Sequence, residues 1–312
     1  MIQIESGQAI GPFQTQGFLG RGAFSQVFLA VDGQGNHFAL KFGDESGGGR
    51  YVPRFGEVTS ERHPSGISPD ETPAEALFLD PFDGARAEVL DTAEVDRLLR
   101  AEARLLSAAG GHGVVPIFDV LEMDGRPVLV LDFLPGRTLR ERIRSREGVK
   151  LRWLLQVLRT VEDLAARGAW TSHGDLKPEN ILVTDKEEVF LIDPAPSLGR
   201  EDLVIATPWY NPFLRRDAKG DAQAMGIMLY ELLTGALPFE KVPFRFARTS
   251  PESASEEERQ MTLSFFLGFP QARELNPHTP ARMEQMIHRA LCNEKYGLGD
   301  LRLDLERFLE CR

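Results

Sequence analysis

Residues 13–42 alternate apolar and polar side chains with turn formers between them, and this period of two predicts strands. Leu19-Gly20-Arg21-Gly22-Ala23-Phe24-Ser25-Gln26-Val27-Phe28-Leu29 reads as strand, glycine turn, strand. Asp32-Gly33 is the expected turn into a further strand ending Phe38-Ala39-Leu40-Lys41. From 43 to 90 the pattern dissolves. Seven Gly and five Pro in that stretch break any long regular element, so it reads as a surface insertion with a short helix at 73–79. Asp91-Thr92-Ala93-Glu94 is a capping-box helix start, and Val95, Leu98, Leu99, Leu105, Leu106 and Ala109 form an apolar stripe that Gly110-Gly111 ends. Glu102 falls inside that stripe. A carboxylate facing a core is costly unless a cation meets it, and Lys41 at the end of an apolar strand is the candidate; the alternative is a solvated position at the stripe's edge.

Two apolar runs, 114–121 and 127–133, flank Asp124-Gly125 and predict a hairpin. Leu134-Pro135-Gly136 then breaks the chain, and the later pattern is mostly helical, beginning with an amphipathic helix over 151–167 (Leu151, Leu154, Leu155, Leu158, Val161, Leu164, Ala165) ended by Gly168. The expected architecture is α+β and bilobal. A small antiparallel-sheet lobe with one helix covers 1–134, including the 43–90 insertion, and a larger helical lobe covers 135–312.

Composition narrows the function. The 312 residues carry 36 Lys plus Arg against 47 Asp plus Glu, a net charge of −11, which argues against a dedicated nucleic-acid binder. Two cysteines, Cys292 and Cys311, make neither a disulfide framework nor a zinc site. The first ten residues lack the basic start and apolar run of a signal peptide. The longest apolar stretch, 225–233, is interrupted by Gly226 and Glu231 and is too short to span a bilayer. A cytoplasmic protein without membrane or nucleic-acid partners is expected.

The chemistry concentrates in His173-Gly174-Asp175-Leu176-Lys177-Pro178-Glu179-Asn180-Ile181-Leu182-Val183, followed after a turn by a strand and Asp193. With the glycine turn from Gly20 to Val27, the strand lysine Lys41, the helix carboxylate Glu102, and Gly220-Asp221 opening Met225-Gly226-Ile227-Met228-Leu229-Tyr230-Glu231, these motifs stand in the order of one family. The chain resembles the Ser/Thr protein kinases over nearly its whole length, except at 43–90 and, more weakly, 241–280. The resemblance implies the bilobal kinase fold, ATP, and Mg2+ or Mn2+. It gives Gly20, Gly22, Ser25, Val27, Ala39 and Leu182 contacts to the nucleotide, with Asp132 to Leu134 offering backbone hydrogen bonds to the adenine. Lys41, paired with Glu102, would hold the α- and β-phosphates, Asn180 and Asp193 the metal. Asp175 would accept the proton of the acceptor hydroxyl, and Lys177 would contact the transferred phosphate.

Three departures carry expectations of their own. Gly174 replaces the Arg that in many kinases receives an activation-segment phosphate, so activity without that modification is expected; Ser197 and Thr207 are the segment's only Ser/Thr positions between 193 and 213. Asp193-Pro194-Ala195 replaces Asp-Phe-Gly, predicting a stiffer loop and a packing void beside Leu106. Asn211-Pro212-Phe213 replaces Ala-Pro-Glu, and 292–297 lacks the Arg that would pair with that glutamate, so both halves of an ion pair are expected to be missing.

The expected function is therefore ATP- and magnesium-dependent phosphorylation of Ser/Thr in protein substrates. The alternatives are an ATP-binding pseudokinase scaffold, or the same fold acting on a small molecule or transferring the nucleotide. The acidic, Ser-rich stretch 250–258 is a solvated helix start or, less simply, a selector of basic peptides; the 43–90 insertion is a candidate partner contact.

Overall fold

The computed structural model describes residues 4–22, 24–44, 52–54, 86–88, 90–196, 207, 209–212, 215–238 and 268–311. The alternating segments form the antiparallel strands β1 (Ala9–Ile10), β2 (Phe13–Arg21), β3 (Ser25–Asp32) and β4 (His37–Gly43). Beyond them lie the short strands β5 (Val52–Arg54) and β6 (Arg86–Glu88), and then the hairpin β7 (Ile117–Met123) and β8 (Arg126–Asp132). The main sheet has the order β1-β2-β3-β4-β8-β7, while β5 and β6 pair with each other at the two ends of the insertion. The expected short helix at 73–79 lies outside the described residues.

The turn between β3 and β4 is longer than the sequence suggests. Asp32 closes it, its carboxylate accepting from the amides of Gln34 and Asn36, and the left-handed residue is Gly35 (φ +87°), not Gly33. At the β7–β8 turn Asp124 and Gly125 are both left-handed (φ +51° and +78°), as a two-residue hairpin requires.

Helix α1 (Thr92–Ala109) has the expected capping box, Asp91 accepting from Glu94 N and Glu94 reaching back to Asp91 N, and it stops at left-handed Gly110. Its stripe of Val95, Leu98, Leu99 and Leu106 is buried against the sheet, each side chain contributing about 1.5–3 kcal/mol by leaving water.

The chain leaves the main sheet at Asp132. It enters a three-stranded sheet of β9 (Gly136–Thr138), β10 (Ile181–Thr184) and β11 (Val189–Leu191), ordered β11-β10-β9. Around it stand α2 (Leu139–Arg144), α3 (Leu151–Ala166), α4 (Ala218–Thr234), α5 (Ala272–Leu275), α6 (Ala281–Cys292) and α7 (Leu298–Glu310). Helix α4 is buried from Lys219 to Tyr230, as its weakly amphipathic sequence implies. Gly226 lets it approach α6: a Cβ there would lie 2.8 Å from Ala290 Cβ. The architecture is the bilobal α+β arrangement expected, and no helix among the described residues is long and apolar enough to cross a membrane.

Candidate active site

Lys41 and Glu102 are 61 residues apart in the chain and meet between the sheet and α1. Lys41 Nζ lies 2.7 and 2.8 Å from the two Glu102 oxygens, with both side chains almost wholly buried. The same ammonium donates to Asp193 Oδ1 at 2.8 Å and sits 5.9 Å from the ring centroid of Phe24 at the glycine turn. Burial pushes the Glu102 carboxyl up to about 7, against the pull of Lys41. Burial alone would lower the Lys41 pKa, but Asp193 and Glu102 outweigh it and hold the ammonium charged above the usual lysine range. The Asp193 carboxyl is held below the usual range: burial opposes this, and the Lys41 ammonium overcomes it. Asp193 has φ +53°, a left-handed conformation that costs a residue with a Cβ on the order of 1 kcal/mol.

A second cluster surrounds Asp175. Its Oδ2 accepts from Lys177 Nζ at 2.7 Å and Asn180 Nδ2 at 3.2 Å, and its Oδ1 accepts from Thr207 N at 2.7 Å. Lys177 also donates to Thr207 Oγ1 at 2.7 Å, and Asn180 Nδ2 to the Asp175 carbonyl at 2.8 Å. The 173–180 loop and Thr207 are thus locked together at the carboxylate. Asn180 comes from the short 3-10 turn Pro178–Asn180 that leads into β10.

The loop is anchored from below. Asp221, on α4 and 2% exposed, accepts from His173 N at 2.7 Å and Gly174 N at 3.0 Å, and burial pushes its carboxyl up to about 7. Gly174 has φ +81°, and a Cβ on it would lie 3.1 Å from Ala195 Cβ. Glycine here therefore answers a backbone requirement as well as lacking the phosphate-receiving side chain. Buried Pro194 lies between Asp193 and Ala195, whose N–H donates to His173 O at 2.9 Å. The aromatic neighbour of His173 is Trp170, edge-on at 5.8 Å, with its indole N–H donating to Leu105 O in α1 at 2.9 Å.

His173 is fully buried, its Nε2 3.0 Å from Ile192 O, and burial pushes its pKa down to about 4. A histidine at about 6.5 in the unfolded chain protonates before this one does, so its contribution to stability is present above pH 6.5 and lost as pH falls toward 4. At ~1.4 kcal/mol per pKa unit the loss is on the order of 3 kcal/mol. The melting temperature of the native chain should therefore drop more steeply between pH 6.5 and 4 than that of His173→Gln. Parallel pH profiles would refute the assignment.

The described residues fit a nucleotide and a hard divalent cation. Val27, Ala39 and Leu182 are partly exposed while their neighbours Phe28, Leu40, Ile181 and Val183 are buried, and Val27 and Ala39 lie on the sheet face that carries Lys41. Asp132 N–H already donates to Pro116 O at 3.0 Å, so its backbone contribution to an adenine is limited to its carbonyl. Gly20 lies opposite Val27 in the β2–β3 ladder, and Gly22 N donates to Ser25 O at 2.7 Å across the turn, beside buried Ser25. Among the described residues Asp193 Oδ2 and Asn180 Oδ1 accept no hydrogen bond, leaving two hard oxygens for a metal.

Three features escaped the sequence reading. Arg140 on α2 donates to Glu179 at 2.6 Å, to Glu231 at 2.6 Å and to the Tyr210 hydroxyl, joining α2, the catalytic loop, the activation segment and α4; these carboxylates and the phenol hold it above the ordinary arginine range in spite of burial. Buried Lys219 gives its three protons to Ala290 O, Asn293 O and Tyr296 O at 2.7–3.1 Å, closing the C-terminal end of α6. The third feature is a different pair beside Asn211, opposite in charge order to the pair whose two halves are absent at 213 and 292–297. Arg215 donates to Glu294 at 2.9 Å and to Asp217, and Asn211 brackets the Arg215 backbone, accepting from its N–H at 2.9 Å and donating to its carbonyl at 2.7 Å. Glu294 is 65% exposed, so a double-mutant cycle on Arg215 and Glu294 should give a coupling of only about 0.2–1 kcal/mol, with Arg215→Ala costing more than Glu294→Ala. Equal single-mutant losses in urea melts would contradict this.

Comparison with known proteins bears on the same residues. The protein kinase domain family matches residues 87–295, and so takes in the catalytic loop but not the glycine turn or Lys41. Serine/threonine-protein kinase PknL of Mycobacterium tuberculosis (strain CDC 1551 / Oshkosh) is 33% identical over 154 residues, 45% of this chain and 39% of the relative. Serine/threonine-protein kinase PrkC of Bacillus subtilis (strain 168) is 25% identical over 227 residues, 68% of this chain and 33% of the relative. The match thus spans about a third of the length of these curated relatives. Among solved structures, a point mutant of the kinase domain of Mycobacterium tuberculosis PknI aligns with a TM-score of 0.57 at 17% identity, covering 99% of both chains. With the family matched over more than half of the sequence and the fold aligned end to end, the chain belongs to the protein kinase family.

Proposed function

We propose that the protein transfers the γ-phosphoryl group of ATP to Ser or Thr hydroxyls of protein substrates, and that it does so without phosphorylation of its activation segment. The observation that carries this reading is the assembled pair of clusters, Lys41 between Glu102 and Asp193, and Asp175 fixed by Lys177, Asn180 and Thr207; Gly174, with no side chain to receive a phosphate, supports its second part. Asp175 orients the acceptor hydroxyl and takes its proton as the oxygen–phosphorus bond forms and the bond to the β-phosphate breaks. Lys177, within reach of Asp175 and the acceptor site, neutralises the phosphoryl oxygens during transfer, and Lys41 holds the phosphates that stay with the nucleotide. Asn180 and Asp193 are the residues to hold Mg2+ or Mn2+, which supplies charge neutralisation at the phosphates when bound. The ATP and magnesium this reading requires are those of the cytoplasm, and the 43–90 segment is the candidate contact for a regulator.

The test is incubation with a Ser/Thr-containing protein substrate, magnesium, and ATP labelled separately at the γ- and α-phosphorus, before and after phosphatase treatment of the enzyme. Transfer from the γ position alone, undiminished by the phosphatase, is expected. Transfer from the α position would mean nucleotidylation, label on a small molecule alone a different acceptor, and no turnover a binding scaffold.

A further inference from the structure

Glu102 reaches Lys41 only while α1 stays against the sheet, and the structure holds a second, independent tether for that helix. Asp96 and Arg100, one turn apart on α1, form a face beside the buried stripe and point toward the β7–β8 hairpin. Asp96 Oδ1 accepts from Arg126 Nε at 3.0 Å and Nη2 at 2.8 Å, with the arginine side chain 12% and the aspartate 17% exposed. The neighbouring Arg100–Glu122 pair, at 2.7 Å, is 41% and 55% exposed and weaker for that reason. Gly43 at the end of β4 makes room for the first pair: a Cβ there would lie 2.5 Å from Arg126 Nη2 and 2.7 Å from Val95 Cγ1. Arg126 opens β8, the strand whose Leu129 lies directly opposite Lys41 in the ladder. The connections close a ring: Lys41, across the ladder to β8, along it to Arg126, over to Asp96, up α1 to Glu102 and back to Lys41.

We propose that Arg126 and Asp96 are positioning residues that hold Glu102 on Lys41, and so keep Lys41 from settling wholly on Asp193. This rests on the phosphoryl-transfer reading above. Lys41 is shared between two carboxylates, and Asp193 is a metal-holding residue of the proposed site. If α1 loosens, the ammonium released by Glu102 turns to Asp193 Oδ2 as well as Oδ1 and competes with magnesium for it.

The experiment is a double-mutant cycle between Arg126→Ala and Glu102→Gln, read in kcat, in melting temperature, and in the magnesium concentration that half-maximally promotes binding of a non-hydrolysable ATP analogue. Arg126→Ala is expected to lower kcat at least tenfold and to raise that magnesium concentration. It should do neither beyond the loss already present in the Glu102→Gln background, and Arg126→Lys should recover part of both. Should Arg126→Ala fail to fold, Asp96→Asn carries the same cycle. No γ-phosphoryl transfer by the native chain would overturn the phosphoryl-transfer reading itself, and full kcat in Glu102→Gln would overturn the need for the Lys41–Glu102 pair and the positioning role with it. A slow Glu102→Gln with normal kcat in Arg126→Ala, or losses that multiply independently, would overturn only the positioning role.

Discussion

Replacing Asp175 by alanine is expected to slow γ-phosphoryl transfer by about 10²- to 10⁴-fold, the usual contribution of a positioned acid–base group. Affinity for ATP should stay as in the native chain, because Lys41, Glu102 and the apolar cleft residues Val27, Ala39 and Leu182 are untouched. The Asp175 carboxylate faces Lys177, Asn180 and the Thr207 amide, all of them donors, so it is the one acceptor in its cluster able to receive a hydroxyl proton. Asp175→Asn is the informative companion. It keeps the shape of the side chain but loses the basic oxygen and sets an NH2 group against either the Thr207 amide or Lys177 and Asn180, so it should be as slow as the alanine variant. The measurement is initial rate at saturating ATP beside analogue affinity by titration. A kcat within tenfold of the native value in both variants would remove Asp175 from the reaction and leave the second cluster as loop packing.

How much of this was legible in the sequence follows from which constraints are local. The 173–180 loop was readable because Asp175, Lys177 and Asn180 are particular residue types at fixed short spacing, and their side chains do meet. Glu102 was readable as an anomaly, a carboxylate on a stripe that burial would otherwise reject, and the structure resolves it with the lysine that the strand pattern put forward. Asp91 as helix cap and Gly110 as helix stop were equally local. Charge pairs distant in sequence were harder to read. Arg140 meets partners 39, 70 and 91 positions away, and Arg126 meets Asp96 across 30. No periodicity marks such pairs, since each half looks like an ordinary surface charge. The Arg215–Glu294 pair, 79 positions apart, is of the same kind. Gly174 was noticed for the side chain it lacks, whereas its left-handed backbone is set by contacts with α4 that no local pattern announces.

That backbone makes Asp221 the position with the largest expected effect on stability. Asp221→Ala strips both acceptors from the buried His173 and Gly174 amides. At about 1–3 kcal/mol for each donor left unpaired, the loss is about 2–6 kcal/mol, a large share of what holds an ordinary domain together. At roughly 2–4 °C per kcal/mol for a chain of this order of size, the melting temperature should fall by about 5–20 °C. Asp221→Asn should be intermediate, its one carbonyl oxygen serving one amide while its own NH2 meets the other. The loss should reach the chemistry too, because the two hydrogen bonds hold Gly174 in its left-handed state and Asp175 is the next residue. At a temperature where Asp221→Asn is still folded, its kcat should drop while analogue affinity holds. If instead the variant melts like the native chain, the two amides find water or another partner, and the catalytic loop is held by the Asp175 cluster alone.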